Sequence, residues 1–287
     1  MRDTTKRRVI VYLALTFGLS SIFYALIVAK GMDAYKGLLV LGLMWCPAFG
    51  AIVASLLFKR PLKEMGFLPG KPKYLLAAYL APIAAGLFVY GLVWLSGLGG
   101  FSGQALSGMP DGTSGSAQAL VAAISKQMTF GFAMSMMAAF GEELGWRGFL
   151  VPEMSKIMGF GKTALWSGLI WALYHYPIIL FSGYRSSAPL WYAASMFTIT
   201  VLAISFPFAW LRLKSGSLWT GVILHASHNL MIQNVFDAVT TDRGATAYFT
   251  GEFGVGLVLA YGAMAFWCWK RRGGLLFSDG LSLSAGR

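Results

Sequence analysis

Two adjacent glutamates and an arginine interrupt a long apolar stretch, F-G-E-E-L-G-W-R-G-F-L, which runs from Phe140 to Leu150. A charged side chain at bilayer depth costs roughly 2.5 to 3.5 kcal/mol on insertion scales, so a chain seldom keeps three together without a use for them. Residues four apart on a helix differ by about 40° around its axis, whereas neighbours differ by about 100°. We therefore expect Glu143 and Arg147 to form a supporting ion pair, and Glu142 to face another side and to carry the chemistry.

All three histidines of the chain, His175, His225 and His228, fall in other apolar stretches. W-A-L-Y-H, from Trp171 to His175, places an aromatic ring beside an imidazole. H-A-S-H-N, from His225 to Asn229, aligns an imidazole and a carboxamide on one helix face. Two such groups can donate hydrogen bonds to a developing oxyanion. His228 is predicted to be a packing or supporting residue.

The composition indicates that membrane helices carry these groups. The chain has 287 residues, of which 57% are hydrophobic and only 12% are charged, about half the charged fraction of a soluble domain. Its formal net charge is +12, but the basic residues form short clusters between apolar runs. That pattern favours anionic lipid headgroups as partners and argues against nucleic acid.

Eight apolar stretches have the length of about 20 residues that is needed to cross a hydrocarbon core. They lie near residues 9–29, 37–58, 74–97, 122–150, 163–181, 188–211, 216–236 and 252–270. No internal repeat, soluble domain or strand pattern is found. We predict a single all-α domain over 1–287, a polytopic membrane bundle of about eight transmembrane helices, with its catalytic core near 118–236.

Every second segment between the predicted spans is basic, whereas the alternate segments carry few cations. The positive-inside rule therefore predicts a multi-pass protein of the cell membrane with both termini in the cytoplasm. The Gly- and Ser-rich stretch Gly99–Ala117 is predicted to be an external loop. The basic clusters are Lys59, Arg60, Lys63, Lys71 and Lys73; Lys156 and Lys162; Arg212 and Lys214; and Lys270, Arg271 and Arg272.

The depths of the polar groups agree with one another. Glu142, His175 and His225 lie about 15, 18 and 14 Å from the cytoplasmic ends of their helices, at 1.5 Å per residue. Gathering these groups is the least costly way to satisfy each of them in an apolar bundle. We expect one pocket shared by three helices, closer to the cytoplasmic than to the external surface.

Three motifs occur in order: E-E-x-x-x-R at 142–147, aromatic-x-x-x-H at 171–175 and H-x-x-x-N at 225–229. Together they resemble the CPBP family of intramembrane proteases, which groups CAAX prenyl proteases with bacteriocin-processing and self-immunity proteins. S-G-S-L-W at 215–219, leading into the last motif, is similar to the family as well. Trp171 stands where phenylalanine is common and keeps the aromatic character. The resemblance covers less than half of the chain.

The resemblance implies peptide-bond hydrolysis within the membrane. Glu142 with His175 would activate a water molecule. His225 with Asn229 would stabilise the tetrahedral oxyanion. The supporting residues would be Glu143, Arg147 and Trp171.

The cofactor is left open by the family, which has been described both as metalloproteases and as glutamate-dependent enzymes that need no metal. Glu142, His175 and His225 could supply the three-ligand open site of a catalytic zinc. The chain has no H-E-x-x-H motif, and no hydrogen-bond partners that would orient zinc ligands can be identified from the sequence, which favours metal-free water activation.

The substrate implied by the family is a lipidated C-terminal peptide, from which the three residues after a prenylated cysteine are removed. A related chain could instead cleave another membrane-associated peptide. Two hypotheses from other classes stay open: an ion-coupled transporter, in which intramembrane Glu, His and Arg form a relay, and a non-proteolytic binding or immunity protein. A transporter would be expected to show repeat symmetry, which this sequence lacks.

Overall fold

The chain folds almost entirely into helices. Our computed structural model describes residues 2–102 and 117–275. Short 3₁₀ turns occur in the linkers at Ala34–Gly37, Leu62–Met65 and Thr246–Tyr248. The α-helices are α1 Arg2–Lys30, α2 Leu38–Leu57, α3 Pro72–Leu95, α4 Ala117–Lys126, α5 Phe132–Gly145, α6 Val151–Ser155, α7 Phe160–Phe181, α8 Leu190–Ser215, α9 Trp219–His228 and α10 Val255–Lys270.

Turns of π-helix connect several of these helices end to end. Gln127–Gly131 joins α4 to α5, Trp146–Leu150 joins α5 to α6, and Asn229–Phe236 extends α9. A π-turn widens a helix locally and is frequent at functional sites. Helices α4 to α6 thus form one continuous helix over 117–155. The described residues therefore contain eight continuous helical segments, one for each predicted span.

The helices have the length and surface of membrane spans. Within the described residues, α1, α2, α3, α7 and α8 are long and apolar enough to cross a bilayer, and α10 is apolar but shorter. Large apolar side chains such as Leu56, Leu87 and Leu259 point outward and are more than half exposed. A surface of this kind is stable against lipid but not against water. The predicted all-α polytopic membrane bundle is confirmed.

Helix α5 lies inside the bundle, packed between α2 and α9. Small residues make this close approach possible, because a Cβ atom on Gly145 would lie 2.4 Å from Cβ of Pro47. A Cβ atom on Gly141 would lie 2.7 Å from the ring of Trp45. Close helix contacts at small residues are typical of membrane bundles, where they replace the hydrophobic driving force. The charged motif is therefore held on a buried, tightly packed helix.

The segments that the sequence predicts to be cytoplasmic meet at one end of the bundle, which we call the basic end. Here Nε of Arg60, after α2, lies 3.1 Å from Oε1 of the buried Glu153 in α6. The backbone N–H of Leu218 donates a 2.8 Å hydrogen bond to the carbonyl of Gly66. These contacts tie the α2–α3 linker to helix α6 and to the α8–α9 linker.

The opposite end, which we call the far end, contains a short sheet that the sequence analysis did not predict. Strand β1, Gly99–Phe101, pairs antiparallel with β2, Thr240–Asp242. Backbone groups of a linker packed on the bundle need hydrogen-bond partners, which explains this pairing despite the absence of a strand pattern. Of the predicted external loop Gly99–Ala117, the first three residues form β1, and residues 103–116 lie outside the described part of the chain.

Candidate active site

Glu143 is the centre of a fully buried ionic group. Its Oε1 atom lies 2.8 Å from Nη1 of Arg147, as the four-residue spacing predicts, and 2.9 Å from Nδ1 of His225. A carboxylate only accepts hydrogen bonds, so Nδ1 of His225 carries the proton and Nε2 is left for other partners. Gly221 of α9 makes this contact possible, because a Cβ atom there would lie 2.7 Å from Oε2 of Glu143.

Glu142 has different partners. Its Oε2 atom accepts hydrogen bonds from the indole N–H groups of Trp146, at 3.1 Å, and of Trp171, at 2.8 Å. Both donors are neutral, so the Glu142 carboxylate is oriented without an ion pair. Trp146 was not predicted to belong to the site. Its position four residues after Glu142 would have placed both side chains on one face of the helix.

His175 is oriented by its own helix. Its Nδ1 atom lies 2.9 Å from the carbonyl oxygen of Trp171, one turn earlier in α7. A carbonyl cannot donate, so Nδ1 carries the hydrogen and the Nε2 lone pair is available in the neutral ring. The Trp171 ring lies between the two catalytic candidates, with its centroid 6.0 Å from that of His175 and 5.4 Å from that of His225.

Arg147 is enclosed by aromatic rings. Its guanidinium carbon lies 4.3 Å from the ring centroid of Trp171 and 3.7 Å from that of Phe208. Its carbonyl oxygen accepts a 2.7 Å hydrogen bond from Nε of Arg212, near the basic end of α8. A planar guanidinium stacks well between rings, which an ammonium group does not do. Arg147 thus connects the carboxylates of α5 with the ring that separates the histidines.

A cavity of about 210 Å³ brings the predicted residues together. Glu142, Trp171, His175, His225 and Asn229 all line it, and they come from three separate helical segments. The ion pair of Glu143 and Arg147 is not part of the lining and lies behind it. The structure therefore groups the residues as the three motifs do, with the reactive candidates facing the cavity and the ion pair supporting them.

The position of the cavity differs from the prediction. Its lining continues from Glu142 to Met32, Tyr184 and Glu252, which lie in linkers at the far end of the bundle. Depths counted along single helices give only the distance of each reactive group from the end of its own helix. Such depths do not predict toward which end of the bundle the space between packed helices extends. In this structure the cavity extends toward the far end.

A second polar cluster, at the far end, was not predicted from the sequence. Glu252 lines the same cavity and contacts His228, with 2.8 Å between Oε1 and Nε2. These residues are 24 positions apart, and Glu252 belongs to a linker, so no helical spacing connects them. The prediction that His228 is a supporting residue agrees with this contact.

The predicted zinc ligands do not have the geometry of a metal site. Among the described residues, no three of His, Cys, Asp and Glu form a group that could hold a metal ion. Two indole donors occupy Oε2 of Glu142, and the Trp171 ring packs against both His175 and His225. Zinc requires three or four ligand atoms at about 2 Å. We therefore derive no catalytic step through a metal.

Comparisons with known proteins match the same part of the chain. Residues 124–231 match the family model described as type II CAAX prenyl endopeptidase Rce1-like. Over 100 residues the chain is 28% identical to CAAX prenyl protease 2 of Methanococcus maripaludis, a match that covers 33% of this chain and 36% of that protein. The chain thus spans about a third of the curated relative's length. These matches confirm the resemblance to the CPBP family of intramembrane proteases over the segment that carries all three motifs.

Proposed function

We propose that the chain is a CAAX-type intramembrane endopeptidase, and that Glu142, His175, His225 and Asn229 are its catalytic residues. The observation that carries this proposal is the arrangement of all four side chains around one cavity in the interior of a membrane bundle. The match to a family of CAAX endopeptidases over 124–231 supports the reaction class.

Glu142 and His175 activate the water molecule in this mechanism. Glu142 takes a proton from water while the water oxygen attacks the carbonyl carbon of the scissile bond, and Nε2 of His175 accepts the second water hydrogen as a hydrogen bond. When the tetrahedral intermediate collapses, the C–N bond breaks and Glu142 returns its proton to the leaving amine. The indole donors of Trp146 and Trp171 hold the carboxylate in one orientation through both steps.

His225 and Asn229 stabilise the oxyanion. Nδ1 of His225 already donates to Glu143, so Nε2 donates to the oxyanion only when the ring is protonated. The Glu143 carboxylate stabilises that imidazolium, which gives the buried ion pair a catalytic purpose. The Asn229 amide, one turn further along the same helical segment, supplies a second N–H donor.

The cavity suits a peptide with an apolar attachment. One wall is built from apolar residues of α8, namely Phe197, Val201, Ile204 and Phe208. A prenylated or otherwise membrane-associated peptide would keep its lipid group in the bilayer while the scissile bond reaches the polar residues. We also place the basic end, with both termini, in the cytoplasm, following the positive-inside rule. Accessibility of single cysteines introduced at the two ends to a membrane-impermeant reagent would measure this orientation.

The test is cleavage of a fluorogenic prenylated peptide by purified protein in detergent. Glu142→Gln is expected to lower kcat by about 100-fold or more, because it removes the general base without changing the side-chain volume. Glu64→Gln is the matched control, since Glu64 is a half-exposed carboxylate at the basic end.

Cleavage by Glu142→Gln at the wild-type rate would refute Glu142 as the general base, whereas absence of cleavage by folded wild type would favour the binding or immunity role. The same assay with a chelator addresses the metal. Activity that is lost on chelation and restored by zinc would show that a metal ion takes part, contrary to the mechanism proposed for Glu142.

A further inference from the structure

The polar cluster at the far end is organised around one carboxylate. Oε1 of Glu252 lies 2.8 Å from Nε2 of His228 and 2.9 Å from Nε2 of Gln233, and Oε2 lies 2.5 Å from the hydroxyl oxygen of Tyr184. The other ring nitrogen of His228, Nδ1, lies 2.7 Å from the hydroxyl of Tyr261. Glu252 therefore links α9, the α7–α8 linker and α10 at the rim of the cavity.

These contacts keep Glu252 ionised. Burial raises the pKa of the carboxyl group, but the hydrogen bond and the electrostatic attraction of His228, with hydrogen bonds from Tyr184 and Gln233, outweigh it and lower the pKa to about 2. A carboxylate only accepts hydrogen bonds, so Nε2–H of His228 donates to Glu252, and Nδ1 pairs with the Tyr261 hydroxyl. Among the described residues, the other donors to this carboxylate, Tyr184 and Gln233, are neutral, and no lysine or arginine contacts it.

The lining of the cavity offers the Glu252 carboxylate no lysine or arginine partner among the described residues. The lining also includes the carboxylate of Glu142. Glu142 is held by neutral donors, the two indoles. Negative charges in a region of low dielectric constant are stabilised by an incoming positive group and repel another carboxylate.

A free polar group lies between the two ends of the cavity. Thr200 of α8 is 2% exposed and lines the cavity, and its hydroxyl has no hydrogen-bond partner among the described residues. Phe197, one turn away, contacts His175 and Tyr184, whereas Phe208, two turns away in the other direction, contacts His225. A buried hydroxyl without a partner is costly. A bound peptide backbone crossing the cavity would satisfy it.

The distance between the catalytic residues and the Glu252 cluster corresponds to the length of a few extended peptide residues. His225, at the catalytic end, and Gln233, at the Glu252 end, are eight residues apart on one helical segment, or roughly 12 Å. An extended chain advances about 3.3 Å per residue, so three to four residues cover this distance.

We propose that Glu252 determines specificity at a subsite for a positively charged side chain, a lysine or arginine three to four residues on the amino-terminal side of the scissile bond. This inference rests on the proposed function. The amino-terminal side is favoured because a free C-terminal carboxylate on the other side would be repelled by Glu252. Basic residues commonly precede a prenylated cysteine, which matches this polarity.

The test uses three prenylated, internally quenched peptides that differ at one position, which carries lysine, glutamine or glutamate. For the wild type we expect kcat/KM about 10-fold higher for the lysine than for the glutamine peptide, and lowest for the glutamate peptide. Glu252→Gln is expected to bring the lysine-to-glutamine ratio close to one. Taking the ratio within each variant cancels any change in overall activity.

Asp237→Asn is the matched control. Asp237 is another carboxylate near the far end, bonded to the hydroxyl of Tyr90, and it does not line the cavity. Its removal deletes the same charge and is expected to leave the ratio at about 10. Equal cleavage of the lysine and glutamine peptides by wild type, or a ratio that persists in Glu252→Gln, would overturn the proposal.

Binding separates this inference from the proposed function. Fluorescence anisotropy measures the affinities of labelled lysine and glutamine peptides for wild type and for Glu252→Gln. The ratio of the two affinities is then compared between the two proteins. If no peptide is cleaved but the lysine peptide binds about 10-fold tighter in a Glu252-dependent manner, the protease function fails and the subsite stands. If cleavage depends on Glu142 but the lysine and glutamine peptides bind with equal affinity, the proposed subsite is refuted and the protease function is supported.

Discussion

Glu143 and Glu252 are both buried carboxylates that contact a histidine, yet their surroundings differ. Glu143 lies against the guanidinium of Arg147, so its charge is balanced within the protein. Glu252 lies among donors that can be neutral, and in the described residues no lysine or arginine pairs with it. The donors to Glu252 are His228, Gln233 and Tyr184. A balanced carboxylate is suited to positioning other groups, whereas an unbalanced one at a cavity rim is suited to recognition.

Removing the Arg147 guanidinium should leave the Glu143 carboxylate, like that of Glu252, without a lysine or arginine partner. Arg147→Met leaves Glu143 buried without its guanidinium, and we expect it to lower the free energy of unfolding by about 3 to 5 kcal/mol. Unfolding by SDS in mixed micelles measures the change. Arg272→Met, at an exposed position of the basic end, is the control and should have little effect. An Arg147→Met protein as stable as the control would mean that Glu143 does not need its ion pair.

Lowering the pH should remove the charge of Glu252 and with it a contribution to the stability of the fold. Burial raises the pKa of Glu252, but the hydrogen bonds and the electrostatic attraction of His228 outweigh burial and lower the pKa from 4.5 to about 2. A lowered folded-state pKa stabilises the protein above pH 4.5, and this contribution is lost as the pH falls from 4.5 towards 2. The full contribution is on the order of 3 kcal/mol.

Comparing wild type with Glu252→Gln between pH 7 and pH 3 measures this loss. The difference in unfolding free energy between the two proteins is expected to shrink as the pH falls. A difference that stays constant over this range would show that Glu252 is not held in its ionised form by its donors.

The smallest effect is expected at the neutral donors of Glu142. Trp171→Phe keeps the ring between the histidines but removes the N–H group that donates to the carboxylate. Hydrogen bonds to charged groups contribute about 1.5 to 3 kcal/mol, so we expect kcat to fall about 10-fold with little change in KM. Trp166→Phe, at an exposed position of α7, is the control. An unchanged kcat would show that Trp146 alone orients Glu142.

The contrast between Glu143 and Glu252 also explains how far sequence reasoning could go. Glu143 and Arg147 are four residues apart on a helix, so their pairing follows from helical geometry. Glu252 meets its partners only because α9, α10 and a linker pack together, and such contacts leave no periodic signal. The apolar stretches predicted the eight helical segments, whereas the π-turns and the β1–β2 pair depend on packing and were not anticipated.

The three motifs likewise predicted which side chains line the cavity, but not the direction in which the cavity extends. Motif spacing records which face of a helix a residue occupies. The side on which neighbouring helices separate depends on the shapes of many apolar residues, such as those of the α8 wall, and no single motif encodes it.

Gly221 has a consequence for mutagenesis. Its missing side chain is the space that Glu143 occupies, so any replacement there would displace the carboxylate that holds both Arg147 and His225. A saturation screen for activity would therefore score this position as intolerant, alongside the reactive groups. An assignment of the active site from such a screen alone would include a residue that never meets the substrate.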